Sequence, residues 1–183
     1  LHFHPRYSII LDIEAEHLDF FKDINDILHS FHLFAKNTIS DGAIIMNGQI
    51  ERLEEITEGL SQEVITYGLD PSFTYYAEDI TYNEKACGRF SVYKNGEKLG
   101  KVALSVPGEH NVYNSLAAIA VTEKMGISLE DIIHGLSIFG GVKRRFELKG
   151  KVNGITVIDD YAHHPTEIEA TLHAAKNYPH GRL

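Results

Sequence analysis

The chain has 183 residues, 43% of them hydrophobic, with 17 Lys and Arg against 26 Asp and Glu for a formal charge of −9. That is enough globular composition for a full core, and it excludes a disordered chain; the acidic balance without a basic tail speaks against nucleic acid or an anionic membrane surface as partner. Cys87 is the single cysteine, so no internal disulfide forms, and no apolar run approaches the roughly 20 residues of a membrane helix, so a cytoplasmic protein is expected.

Tyr7 to Ile13 is a short, largely apolar run, expected as a strand buried on both faces. Ile24, Ile27, Leu28, Phe31, Phe34 and Ala35 recur at helical spacing and predict an amphipathic helix. Asp41-Gly42 turns the chain into a second buried strand over Ala43 to Met46, and Glu51 to Gly59 reads as a short helix closed by its glycine. From about Val64 to Val106 the pattern is β. It is clearest around Lys94-Asn95-Gly96-Glu97, because Asn-Gly supplies the positive φ angles of a tight hairpin. Val102, Leu104 and Val106 alternate with Ala103 and Ser105, which buries one face.

Helical periods return in Val112, Leu116, Ile119 and Ala120 and end at Gly126. Ser128 is placed to cap a further helix with the stripe Leu129, Ile132, Ile133, Leu136 and Phe139. Gly140-Gly141 then breaks the chain before Lys143-Arg144-Arg145, and this is the expected linker between a domain of residues 1–140 and one of residues 141–183. Ile155 to Ile158 reads as a strand, and Pro165 suits the first turn of a helix carrying Ile168, Leu172 and Ala175. Strands and helices alternate at both ends around an antiparallel insert. The expected class is α/β, with strand ends facing a ligand crevice. A start at Leu1 and an end at Leu183, just past a helical pattern, suggest a piece of a longer protein.

Four segments could carry chemistry. In Gly108-Glu109-His110-Asn111-Val112-Tyr113-Asn114, Asn111 and Asn114 share a face of a first helical turn, and a carboxamide can pair with the amino group and N7 of adenine; an ordinary capped helix explains the same spacing. The run from Asp159 to Glu167 concentrates three carboxylates and two histidines at a strand-to-helix junction. A metal-dependent hydrolase built on Asp159, Asp160, His163 and His164, a polar pocket lip and a plain helix start are all open readings of it. Glu14, Glu16, His17 and Asp19 lie where a parallel strand ends, the usual place for ligands, and His17 could bind a metal. His29 and His32 read as surface residues. Arg145, next to a di-glycine hinge, could deliver a guanidinium to a phosphate.

The order of these segments is more specific than any one of them. Asp12-Ile13-Glu14-Ala15-Glu16-His17-Leu18-Asp19, the His110-Asn111 segment, Gly141-Val142-Lys143-Arg144-Arg145-Phe146 and Asp159-Asp160-Tyr161-Ala162-His163-His164-Pro165-Thr166-Glu167 together resemble the Mur ligases. Within that family the likeness is strongest to the branch that joins L-alanine to UDP-N-acetylmuramate, with the branch that attaches a recycled tripeptide, the murein peptide ligases, as the alternative. The resemblance implies the latter part of a P-loop-type central ATP-binding domain with an antiparallel β insert. The first βα unit of a Rossmann-like C-terminal amino-acid-binding domain would follow. It further implies ATP and Mg2+ as cofactors and an acyl-phosphate ligation in peptidoglycan precursor synthesis. By the same resemblance His17 ligates magnesium, and His110, Asn111 and Asn114 hold adenine. Arg145 reaches the ATP phosphates, Asp160 contacts the nucleotide, and Tyr161, His163 and His164 border the amino-acid pocket. The chain departs from the family pattern at Asp12, usually Asn, and at Glu16, usually Asp, and it holds no G-x-x-G-K-[ST] loop.

Overall fold

Ala43–Asn47 is apolar on both sides because the sheet it joins is covered on both faces. In the computed structural model, which describes residues 2–183, this strand, β2, lies between β1 (Tyr7–Ile10) and β3 (Glu63–Gly68). The sheet continues through β4 (Tyr75–Tyr82), β5 (Cys87–Lys94) and β6 (Glu97–Pro107) in spatial order β1 to β6. Neighbours from β1 to β4 run parallel; β4, β5 and β6 form an antiparallel meander.

Helices α1 (Ile24–Lys36) and α2 (Leu53–Thr57) occupy the crossovers between the first three strands. Ile44 and Met46 point from β2 into their side with Leu28, Ala35 and Ile56, while Ala43 and Ile45 point to the other. There α3 (His110–Lys124) and α4 (Leu129–Ile138) bury Val112, Leu116, Ile119 and Ile132 on Tyr67, Tyr75, Phe90, Val92, Val102 and Leu104. Ser128 caps α4 as its sequence position predicts, accepting from the Asp131 N–H at 3.2 Å. Helix α3 crosses the sheet so that the Tyr7 hydroxyl donates to the Lys124 carbonyl at 3.3 Å. Its first turn is thereby carried toward the exit of β1, although β1 and β6 lie at opposite ends of the strand order.

Beyond a linker, β7 (Glu147–Val152) and β8 (Ile155–Asp159) pair as an antiparallel hairpin followed by α5 (Pro165–Asn177). Two of the three Asn-Gly pairs turn hairpins: Asn95 and Gly96 have φ 49° and 84°, Asn153 and Gly154 have 50° and 83°, whereas Asn47-Gly48 at the end of β2 has no positive φ.

Two expectations are corrected, and one strand is added to the reading. The first strand stops at Ile10 and pairs with β2 alone among the described residues, so Ile9 is 40% exposed rather than buried on both faces. The strand β7, absent from the elements expected from sequence, alternates charged and uncharged residues as Glu-Leu-Lys-Gly-Lys-Val, and its pairing with β8 shifts register between Leu148 and Gly150. His32 is not a free surface residue: its Nδ1 lies 3.0 Å from the Ile56 carbonyl and ties α1 to α2.

Candidate functional site

The first turn of α3 is shaped by Gly108. Its φ of 97° belongs to the left-handed region, and a Cβ there would stand 2.5 Å from His110 Cε1, so glycine alone lets the imidazole fold back over the turn. Asn111 is not an N-cap; its Nδ2 donates to the Pro107 carbonyl at 2.7 Å, and Asn114 Nδ2 approaches Asn111 Oδ1 at 3.4 Å. The two amides thus hold each other on one face. His110 keeps an exposed edge, but burial of its ring environment draws its pKa below the usual histidine range; the Asp160 charge opposes this and Arg145 adds to it.

Helix α4 ends at Ile138, and the linker residues Arg144 and Phe146 carry φ of 60° and 48°, left-handed conformations that cost on the order of 1–2 kcal/mol each in a non-glycine residue. Backbone ties hold them there. The Arg144 N–H donates to Glu147 Oε2 at 2.9 Å, the Arg144 carbonyl accepts from the Tyr161 N–H at 2.8 Å, and the Phe146 N–H donates to Asp160 Oδ2 at 2.8 Å. The Arg144 guanidinium also covers the Tyr161 ring at 4.2 Å. Between these anchored neighbours Arg145 is presented to the cleft, where its Nη1 donates to Glu167 Oε1 at 3.2 Å.

Glu167 in turn receives the His163 N–H at 3.2 Å and the His164 N–H at 3.5 Å on Oε2. These backbone donors, His163 foremost, and the Arg145 charge hold its carboxyl below the usual range. His164, at the N-terminus of α5, places Nδ1 2.9 Å from Glu14 Oε2 and Nε2 3.9 Å from Glu16 Oε1 in the loop after β1.

These pieces enclose a cleft of about 620 Å³, well within the range for small-molecule sites. Its lining brings together His110, Asn111, Asn114, Arg145, Asp160 and His164, with Asp12, Glu14, Glu16 and Glu167 beside them. His17, Tyr161 and His163 do not line it. His17 is exposed with φ 53°, Tyr161 packs under Arg144, and His163 Nδ1 turns back to the Tyr161 carbonyl at 3.0 Å. Asp160 has both oxygens on backbone N–H groups, Oδ2 on Phe146 and Oδ1 on Ala162, which makes it a fastener of the linker in this arrangement. Among the described residues no group of three or more His, Cys, Asp or Glu side chains is arranged to hold a metal ion. The hydrolase reading of Asp159, Asp160, His163 and His164 loses its geometry, and the described residues supply no magnesium cage around His17.

Two partners escaped the sequence reading. Glu167 sits three residues after the helix-capping position, a pattern that foretells its backbone contacts but not Arg145. The approach of Glu14 to His164 has no local signal at all.

Strand ends, a helix start and a linker-borne arginine surround one ligand-sized cleft in an α/β fold. Residues 1–122 match the family model of the Mur ligase middle domain, and residues 144–183 match that of the Mur ligase glutamate ligase domain. The chain belongs to the Mur ligase family. It is 62% identical over 183 residues to a UDP-N-acetylmuramate–L-alanine ligase of Agathobacter rectalis, covering all of this chain and 40% of that protein. The crystal structure of a UDP-N-acetylmuramate-alanine ligase from Thermotoga maritima superimposes with TM-score 0.79 at 32% identity, over 96% of this chain and 39% of that one. That of a murein peptide ligase from Psychrobacter arcticus does so with TM-score 0.71 at 36% identity, over 96% and 35%. The chain thus spans about two fifths of the length of these relatives. Among the described residues no helix is long and apolar enough to cross a membrane.

Proposed function

We propose that the protein carrying this chain is an ATP-dependent ligase that joins L-alanine to the carboxylate of UDP-N-acetylmuramate in the cytoplasm. The observation that carries this reading is that the Asn111–Asn114 amide pair of α3 and the linker residue Arg145 line the same cleft. The identity to ligases of that name supports the choice of substrates.

In this reading residues 1–140 close the ATP-binding domain and residues 141–183 open the amino-acid-binding domain. The amides and His110 hold adenine, and a neutral imidazole suits contact with a flat base. Arg145 exchanges its ion pair with Glu167 for the nucleotide phosphates, and Asp160 keeps the linker in the strained conformation that presents it. The γ-phosphoryl group passes to the muramate carboxylate oxygen, releasing ADP. The alanine amine then attacks the acyl phosphate, loses a proton, and expels phosphate as the C–O bond breaks. Arg145 offsets charge on the transferring group. His164 and the more exposed Tyr161 and His163 flank the incoming amino acid. His17, the ligand that the family resemblance implies, would hold a magnesium ion, and the ion would supply positive charge against the phosphate oxygens.

The test uses a protein of the relatives' full length that carries this chain. It should release phosphate from ATP only with UDP-N-acetylmuramate and L-alanine together, and 18O from a labelled muramate carboxylate should appear in that phosphate. Phosphate without the label would overturn the acyl-phosphate step. Turnover with the tripeptide L-alanyl-γ-D-glutamyl-diaminopimelate in place of L-alanine would favour the second reading, a murein peptide ligase, which the 36% identity to one such structure keeps in view.

A further inference from the structure

Behind the two amides lies a second cavity of about 430 Å³ between β6, α3 and α4. Its walls are mainly apolar, chiefly Leu104, Ala118, Ile132 and Leu136, with Ser115, Thr122 and Asp131 also on the lining, and it opens past Asn111, Asn114, Val106 and Phe139, which also line the cleft. The amide pair therefore stands on the threshold between a polar cleft and a mainly apolar chamber.

We propose that this chamber receives an apolar substituent carried on the exocyclic amino group of an adenine nucleotide. The protein would then bind N6-aralkyl adenine nucleotides as well as it binds the unsubstituted ones. The proposal rests on the assignment of Asn111 and Asn114 to adenine. Asn111 Nδ2 donates to the Pro107 carbonyl and lies 3.1 Å from His110 Nε2, and Asn111 Oδ1 accepts one N–H of Asn114 Nδ2, so the free amide edge belongs to Asn114. What remains for a base is an amide oxygen and an amide N–H on the same face, which match one amino hydrogen and N7 of adenine. Only one of the two amino hydrogens is used in such a pair. The other can be replaced by carbon without losing a hydrogen bond, and it leaves the base on the amino edge, where the chamber begins. Apolar walls gain from covering an aromatic ring, and a phenyl group is far smaller than the space available.

Gly135 of α4 gives the discriminating variant. It lines the chamber, and a Cβ added there meets nothing within 4 Å, so a larger side chain can enter the space without a backbone clash and in a better helix former. Calorimetry on a protein of the relatives' full length that carries this chain would compare ADP with N6-benzyl-ADP. The expected result is benzyl binding within about threefold of ADP or tighter in the parent protein. In Gly135→Leu, and independently in Ala118→Leu from the α3 wall, N6-benzyl-ADP should weaken at least tenfold while ADP stays within about twofold. N6-benzyl-ADP more than tenfold weaker than ADP in the parent, or benzyl binding unchanged by both substitutions, would overturn the proposal while leaving the adenine site intact. Failure of ADP itself to bind the parent would instead remove the nucleotide reading beneath it.

Discussion

Arg145 donates to Glu167 across 3.2 Å and 22 residues of chain, and the same carboxylate accepts from the backbone N–H groups of His163 and His164 just ahead of α5. An exposed ion pair of this kind is worth no more than about 1 kcal/mol, so it parks the guanidinium rather than locking it. A triphosphate with several anionic oxygens in the cleft competes easily for such a residue.

Arg145→Lys keeps one charge and loses the planar fork. In a protein of the relatives' full length it should lower kcat by about 10- to 1,000-fold, the range for loss of a transition-state donor, while ADP affinity changes by less than about threefold. Normal turnover with normal folding would reduce Arg145 to a surface charge.

Glu167→Gln should release the same guanidinium while keeping an acceptor for the helix start. The apparent KM for ATP is then expected to fall or hold steady, and a large rise would show that the pair assists binding. The substitution also carries a pH signature. A carboxyl whose folded pKa is depressed stabilises the fold fully above its unfolded value, near 4.5, and loses that contribution as pH falls through the lower folded value. Hydrogen exchange in α5 should therefore loosen below about pH 4.5 in the parent and lose most of that dependence in Glu167→Gln. The effect should stay under about 1 kcal/mol because the side chain is a third exposed.

Gly108→Ala places a methyl 2.5 Å from the His110 ring at a φ of 97°. Strain of about 1–3 kcal/mol is expected in thermal or denaturant unfolding, together with a displaced imidazole. The KM for ATP should rise about tenfold, equivalent to about 1.4 kcal/mol. In the parent, the His110 ring protons should titrate below the ordinary histidine range by NMR, because burial disfavours the imidazolium.

Gly48→Ala probes the fold alone. The Phe73 ring fills the space above Gly48 and Gly68, and a Cβ on Gly48 would lie 2.3 Å from it. Stability should fall by about 1–3 kcal/mol, and Phe73→Leu in the same chain should recover part of the loss. A neutral Gly48→Ala would mean that the ring has another place to go.

Local chemistry carried a large share of the fold. The helix of Ile24–Lys36 follows from its apolar period, α4 from Ser128 and its stripe, and the hairpin at Asn95-Gly96 from two positive φ angles that few residue pairs accept. The Asn-Gly at 153 and 154 was equally readable, and the alternation of Glu-Leu-Lys-Gly-Lys-Val fits the arm before it, β7, but that arm carries too few apolar residues to form a stripe. These features depend on residues within a turn or two of each other, so the amino-acid order alone decides them. That order also set the four segments of the Mur ligase family in sequence. The membership of the cleft was decided differently. Glu14 meets His164 across 150 residues, and β1 and α3 converge because a helix crosses the sheet. Arg145 faces the amides because two left-handed residues beside it are held by Asp160, Glu147 and Tyr161. His17, adjacent in sequence to cleft residues, turns out of the site through its own left-handed backbone. Contacts of such separation are fixed by packing and by the direction of a few backbone bonds, and no pattern of spacing along the chain encodes either one.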